Sequence, residues 1–150
     1  MIRQATVTDI PGIQVVRHSV KENQLSDPRL VPDEDVEDYI TRRGRGWVYE
    51  ADQRVVAFAI VSVLDHNVWA LFVDPEFDQR GIGRQLHTTM MDWYFKQTDE
   101  PIWLSTAPGT RAQKFYNRAG WIETGFTKGG EARFEMTIGR WEEVQSIRPE

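Results

Sequence analysis

The run Val73-Asp74-Pro75-Glu76-Phe77-Asp78-Gln79-Arg80-Gly81-Ile82-Gly83-Arg84 constrains this chain more than any other segment. An apolar, strand-like stretch stops at Asp-Pro, a short loop follows, and Arg80-Gly81-Ile82-Gly83-Arg84 opens a helical pattern. Two glycines at a strand-to-helix junction let main-chain N–H groups converge on one point with no Cβ in the way. The helix N-terminus behind them adds unpaired donors and a partial positive charge. Such a junction suits an anion, above all a phosphate or pyrophosphate. A Gly-x-Gly can also reflect tight helix–strand packing alone, but Arg80, Arg84 and the Asp-Pro strand end favour the anion.

The segments around the junction predict a mixed α/β fold. Ile2 to Val7 reads as a strand, and Thr8 or Asp9 caps a helix with Pro11 in its first turn. Ile10, Ile13, Val16 and Val20 give that helix one apolar face. A loop over Ser26 to Pro32 leads into a second helix at Asp33-Glu34-Asp35, whose acidic first turn complements the helix dipole. Strands follow at Trp47 to Ala51, Val55 to Leu64 and Val68 to Val73, the first two joined at Asp52-Gln53. The continuously apolar Val55–Val61 stretch reads as a central strand. A helix from Gly81 to Lys96 turns Ile82, Leu86, Met90 and Trp93 or Tyr94 inward. A strand at Ile102 to Thr106, a helix at Thr110 to Ala119 stopped by Gly120, and a hairpin across Gly129-Gly130 complete the order β-α-α-β-β-β-α-β-α-β-β. Gly139 to Glu150 is expected to be a strand end or tail.

Composition removes several functions. The 150 residues amount to one domain, 1–150, with 40% hydrophobic and 27% charged residues. A net charge of −5 argues against nucleic acid as a partner, and no apolar run approaches the roughly 18 residues of a membrane span. Cysteine is absent, which excludes disulfides and a thiol nucleophile. His18 and His87 lie in helical segments without the acidic or histidine neighbours of a metal site, so no metal is expected. Met1-Ile2-Arg3-Gln4 leads straight into strand-like sequence, and a cytoplasmic location is expected. The anion site is neither of two common nucleotide motifs. Gly81-Ile82-Gly83-Arg84-Gln85-Leu86 lacks the third glycine of a dinucleotide fingerprint, and no Gly-Lys-Ser/Thr follows as in a P-loop.

With Phe72-Val73-Asp74-Pro75 upstream and Ala112-Gln113-Lys114-Phe115-Tyr116-Asn117-Arg118-Ala119-Gly120-Trp121 downstream, the chain resembles the GNAT superfamily of acyl-CoA-dependent N-acyltransferases. The resemblance covers nearly the whole chain, including the order of elements. It implies a mostly antiparallel sheet with a splayed central strand pair. It also implies acetyl-CoA as co-substrate, its pyrophosphate held by Asp78, Gln79, Arg80, Gly81, Ile82, Gly83 and Arg84. The pantetheine arm would run between the splayed fourth and fifth strands along Leu71, Phe72 and Val73, with Thr106 and Phe115 towards the acyl end. The sequence departs from the family at Asp78, where Gln or Arg is usual, and at Gly109, where many members have Asn.

The resemblance makes Tyr116 the catalytic residue, a general acid to the departing CoA thiolate, although a tyrosine here can also merely pack. The acceptor would be a small-molecule or peptide amine that attacks directly, without an acyl-enzyme. Asp65, His66, Glu22, Glu50 and Glu123 are all options for its base. An oxyanion would be met by a main-chain N–H from a bulge near Leu71 or Phe72. Trp93, Trp103 and Trp121 are expected in the core, whereas Trp47 and Trp69 suit either the core or the acceptor pocket. Acceptor specificity would reside in the Glu22–Pro32 loop and the last hairpin, and a homodimer would form through the terminal strands. The competing expectations are a non-catalytic acyl-CoA sensor and a phosphate-binding domain unrelated to CoA.

Overall fold

The computed structural model describes residues 1–20 and 31–147. Glu22 and most of the first predicted loop lie outside the described residues. The chain divides into two compact units, Met1–Gln97 and Thr98–Glu150.

The first unit contains β1 (Ile2–Gln4), α1 (Ile10–Ser19), α2 (Asp33–Asp38) running into a π turn at Tyr39–Arg43, β2 (Gly44–Ala51), β3 (Arg54–Ser62), β4 (Asn67–Val73) and α3 (Ile82–Gln97). Its four strands lie in the order β1-β2-β3-β4, each antiparallel to the next. The β2–β3 turn has only Asp52 and Gln53 between paired ends, at φ of 52° and 62°. Two residues with positive φ match the twist of the flanking strands. Val56 through Val61 is fully buried, as the apolar run predicts for a central strand. Side chains alternate across it. Phe58 and Ile60 join Ile10, Ile13 and Val16 of α1, with Val36 and Ile40, in one core cluster. Ala59 faces the other way with its cross-strand partner Trp47, whose ring meets Trp93 of α3 edge-on at 5.6 Å.

The first strand stops earlier than the sequence suggests. The Asp9 carboxylate accepts from the Thr6 N–H at 2.8 Å and closes a 3-10 turn over Val7–Asp9. Asp9 then sits at the N-cap of α1, as expected, and Arg3 of β1 grips both its oxygens at 2.9 and 2.7 Å.

The second unit contains β5 (Ile102–Thr106), α4 (Arg111–Arg118), β6 (Ile122–Phe126), β7 (Ala132–Met136) and α5 (Ile138–Ile147). β7 lies between β5 and β6 and is antiparallel to both. The helix α5 corrects the expected tail. Thr137 starts it, accepting from the Trp141 N–H at its carbonyl (2.9 Å) and from the Arg140 N–H at its hydroxyl (3.1 Å). Trp141 and Val144, one turn apart, are buried, and Arg140 Nε donates to the Gly120 carbonyl at 3.0 Å. Across both units the elements follow the predicted order with this helix added, and the fold is mixed α/β with mostly antiparallel strands.

The tryptophans divide differently from expectation. Trp47 and Trp121 are core residues, but Trp93 and Trp103 are only half-buried. Each of those two carries an arginine over its ring, Arg45 at 4.8 Å and Arg133 at 4.5 Å. An indole can be half covered by a cation because its π face attracts one.

Candidate functional site

The junction is built from β3 outwards. A register break leaves Val56 unpaired with β2, and its carbonyl accepts from the Asp74 N–H at 2.8 Å, where β4 ends. The buried Asp74 carboxylate caps the 3-10 turn Pro75–Phe77, accepting from the Glu76 N–H at 2.9 Å and from Arg54 Nη1 at 3.1 Å. Phe77 is buried under Arg54 and Arg80, whose guanidinium carbons lie 5.2 and 4.9 Å from its ring centre. Asp78 closes the 3-10 turn, with its N–H on the Pro75 carbonyl. Gln79 and Gly81 then take positive φ of 61° and 78°. The first bond of α3 runs from the Gln85 N–H to the Gly81 carbonyl at 3.1 Å. Helix geometry therefore offers the N–H groups of Ile82, Gly83 and Arg84 no acceptor within the helix. A Cβ added at Gly81 would meet nothing within 4 Å, so the backbone there faces open space. Gln79, Arg80 and Arg84 are exposed around it.

Leu71, Phe72 and Val73 lead into this junction and pair regularly with Ala59, Phe58 and Ala57. The expected strand bulge exists in β4, but earlier than Leu71 or Phe72. Ile60 pairs with Ala70 and Val61 with Val68, which leaves Trp69 as the extra residue. The Trp69 ring stacks on Tyr39 at 3.9 Å, nearly parallel. Beside it lies a residue that the sequence reading passed over. Arg17 of α1 is buried, with its guanidinium carbon 5.1 Å from the Trp69 ring, 5.2 Å from Phe72 and 5.7 Å from Phe58. The signal was present, because Arg17 follows Ile10 and Ile13 on the apolar stripe where another hydrophobic residue belongs.

In the second unit, Thr106 ends β5, buried and paired with Ala132. Thr110 caps α4, its hydroxyl accepting from the Gln113 N–H, and the Gln113 side chain accepts from the Gly109 N–H at 2.7 Å. This is a close variant of a capping box, in which Thr and Gln three residues apart satisfy the first turn. Phe115 is half-buried and Tyr116 buried. The Tyr116 ring packs edge-on against Phe115 at 5.2 Å and Trp121 at 5.7 Å, with Phe134 at 6.0 Å. Burial raises its phenol above the usual value, so the hydroxyl keeps its proton throughout the neutral range.

Each described option for the base already has a partner. Asp65 accepts from Arg43 and Ser62, and Glu50 from Arg3. Glu123 accepts from Gln113 and Asn117 at 3.0 and 3.1 Å. His66 Nδ1 lies 2.9 Å from the Tyr94 hydroxyl. Among the described residues no three His, Cys, Asp or Glu side chains come together as a metal group. None of their helices is long and apolar enough to cross a membrane.

The chain is similar over 92% of its length to PaiA N-acetyltransferase from Thermoplasma acidophilum, solved in complex with coenzyme A, with TM-score 0.80, 17% identity and 98% of that chain covered. An acetyltransferase of the GNAT family from Staphylococcus aureus matches with TM-score 0.78 at 18% identity, covering 92% of this chain and 98% of that one. The ribosomal-protein-S18-alanine N-acetyltransferase of Escherichia coli matches with TM-score 0.70 at 22% identity, covering 91% and 90%. No curated protein sequence matches the chain. The family model of the acetyltransferase (GNAT) family matches residues 14–121, from α1 through the glycine junction to the Phe115-Tyr116 helix, and the chain belongs to that family.

Proposed function

We propose that residues 1–150 act as one domain that moves an acetyl group from acetyl-CoA to a primary amine by direct attack. The observation that carries this reading is the Gln79–Arg84 junction. Gly81 faces open space, the first N–H groups of α3 follow it, and two arginines stand beside it. That is the chemistry a pyrophosphate needs. The family match and the CoA bound to the Thermoplasma acidophilum protein support coenzyme A as its source. Asp78, Gln79, Arg80, Gly81, Ile82, Gly83 and Arg84 would hold the diphosphate, and Leu71, Phe72 and Val73 the pantetheine arm, with Thr106 and Phe115 towards the acyl end.

In the reaction the ammonium of the acceptor first gives a proton to a base. The free amine attacks the thioester carbonyl, and a main-chain N–H in the stretch from the Trp69 bulge to Phe72 receives the oxyanion. The C–S bond breaks, the Tyr116 hydroxyl gives its proton to the thiolate, and the attacking nitrogen releases its second proton through solvent, which restores the phenol and leaves the amide. Its raised pKa keeps Tyr116 in the donor form but makes full transfer to a thiol-like group uphill. Much of its contribution would then be a hydrogen bond to the developing charge. The acceptor class is an amine on a small molecule or peptide, and a cysteine-free sequence is compatible with a cytoplasmic setting. A homodimer through the terminal strands belongs to the same reading, supported by exposed Ile122 and Phe126 on β6, an edge strand of its unit.

The test combines titration calorimetry of acetyl-CoA with free-thiol release over a panel of amines, amino acids and peptides. Binding with turnover of any acceptor supports the transferase. Binding without turnover would leave an acyl-CoA sensor, and no binding at millimolar acetyl-CoA would refute the cofactor site itself.

A further inference from the structure

The guanidinium of Arg17 is the most unusual charge in the first unit. Arg17 is 8% exposed, and its Nε and Nη2 are shielded from solvent with no hydrogen-bond acceptor among the described residues. The three rings of Phe58, Trp69 and Phe72 stand within 6 Å of its carbon. Such rings offset part of the desolvated charge through their π faces. They accept none of the N–H groups that lie in the guanidinium plane, and an unmet buried donor is costly. Desolvation pushes the pKa of Arg17 down to about 10, which still leaves it cationic at neutral pH. Nε and Nη2 form one edge of the guanidinium, the two-pronged edge that matches the two oxygens of a carboxylate.

The position of this edge gives it a use. Trp69 is the bulged residue of β4, and Phe72 lies on the part of the same strand that the reading above gives to the pantetheine arm and the oxyanion donor. We propose that Arg17 binds the carboxylate of the acceptor, so that the substrate is an amino acid whose amine is acetylated beside β4. This rests on the transferase reading above and narrows its acceptor class. The guanidinium lies 5.1 and 5.2 Å from the Trp69 and Phe72 rings of β4, so a carboxylate held on its Nε–Nη2 edge would keep an α-amine, or one little further away, near that strand. A peptide N-terminus would bring no carboxylate to that position, and a polyamine would bring a repelling cation.

The test compares matched acceptors in free-thiol release: L-amino acids, their amides, and aminomethylphosphonate as the phosphonate counterpart of glycine. The wild-type protein should prefer the free acids to the amides, and the acids to the phosphonate. Arg17→Met, which keeps the stem and removes the fork, should raise KM for the acids about tenfold or more, as loss of a charge-assisted pair of hydrogen bonds does. The loss should fall more on KM than on kcat, and acids should lose more than their amides, which bring no carboxylate to the fork. The folded state should be kept, with a melting temperature equal to or above that of the wild type, because an unmet buried charge has been removed. Calorimetry of the free acid against its amide gives the same comparison without turnover.

Preference for amides, or an unchanged acid preference in Arg17→Met, would overturn the proposal while leaving the transferase intact. Preference for the phosphonate would move the ligand to another anion class and overturn the carboxylate assignment. Absence of acetyl-CoA binding would instead refute the cofactor site. If Glu22→Gln and Arg17→Met both lower the melting temperature by the same amount without altering acid preference, Arg17 is one half of an internal ion pair, and the proposal falls.

Discussion

Replacing Gly81 by alanine and, separately, by asparagine resolves two costs that the junction would impose. Gly81 sits at φ +78°, and a Cβ there would meet nothing within 4 Å. The penalty for alanine in the ligand-free protein is therefore conformational, about 1–2 kcal/mol for an L residue in the left-handed region. A loss of unfolded-state entropy returns about 0.4–1 kcal/mol of it. The net of about 1 kcal/mol corresponds to a fall of about 2–4 °C in melting temperature for a domain of this size. Asparagine tolerates the left-handed region better than alanine does. Stability should therefore run Gly, then Asn, then Ala.

Cofactor affinity should run in another order if the open space at Gly81 is where a diphosphate approaches the backbone. Alanine places one methyl there and asparagine a larger group, so affinity should run Gly, then Ala, then Asn. At least a tenfold rise in Kd is expected for alanine, equivalent to about 1.4 kcal/mol. Thermal melts of the free variants give the first order, and calorimetry with acetyl-CoA gives the second. An asparagine variant that binds acetyl-CoA more tightly than the alanine variant would mean that affinity merely follows backbone strain. The close-approach reasoning would then be refuted.

Tyr116→Phe should lower kcat by about a hundredfold while leaving acetyl-CoA affinity unchanged; an unchanged kcat in steady-state assays would remove Tyr116 from the chemistry. Gly120→Ala should cost about 2–4 kcal/mol in urea denaturation, since left-handed strain adds to overpacking. Gly120 has φ +96°, and an added Cβ would lie 2.4 Å from Val144 Cγ2. Combining it with Val144→Ala should remove the crowding part of the extra cost, and strict additivity would contradict this account. Asp9 is held below the usual carboxylate range, chiefly by its hydrogen bond from Arg3. The folded state thus takes up this proton less readily than the unfolded chain does. The stability Asp9 provides is complete above about pH 4 and drains as the pH falls through the lower folded value. Asp9→Asn should melt lower than wild type near pH 7, with the gap closing in acid, and a gap independent of pH would contradict the argument.

Much of the fold was legible because its signals are local. Pro11 after Asp9 marks a helix start, Asp52-Gln53 between strands marks a tight turn, and the apolar Val55–Val61 run marks a strand buried on both faces. The final helix was missed although its signal was also local. Thr137 caps it, and Trp141 and Val144 are spaced by one turn, but its anchor through Arg140 is the Gly120 carbonyl just past α4, well back in the chain. The half-burial of Trp93 and Trp103 was not legible, because the arginines that cover them are distant in sequence, Arg45 on β2 over Trp93 of α3 and Arg133 on β7 over Trp103 of β5. The bulge at Trp69 was hidden for a related reason: a register break is a property of two strands, and no glycine in β4 marks it.

The glycine junction, the order of elements and the Phe115-Tyr116 segment are matters of neighbouring residues, and the sequence by itself determined them along with the family they indicate. Backbone conformation there follows from residue type within a few positions, through glycine's freedom at Gly81 and the capping chemistry of Asp74 and Thr110. Only the tertiary structure decided what surrounds Arg17. In the sequence it is one of 18 basic residues, and its setting depends on Phe58 and Trp69, which lie more than forty positions away. Whether a charge is solvated or enclosed is a question of which distant surfaces close over it. Local pattern cannot answer that, and packing answers it here with three rings and, among the described residues, no acceptor for Nε or Nη2.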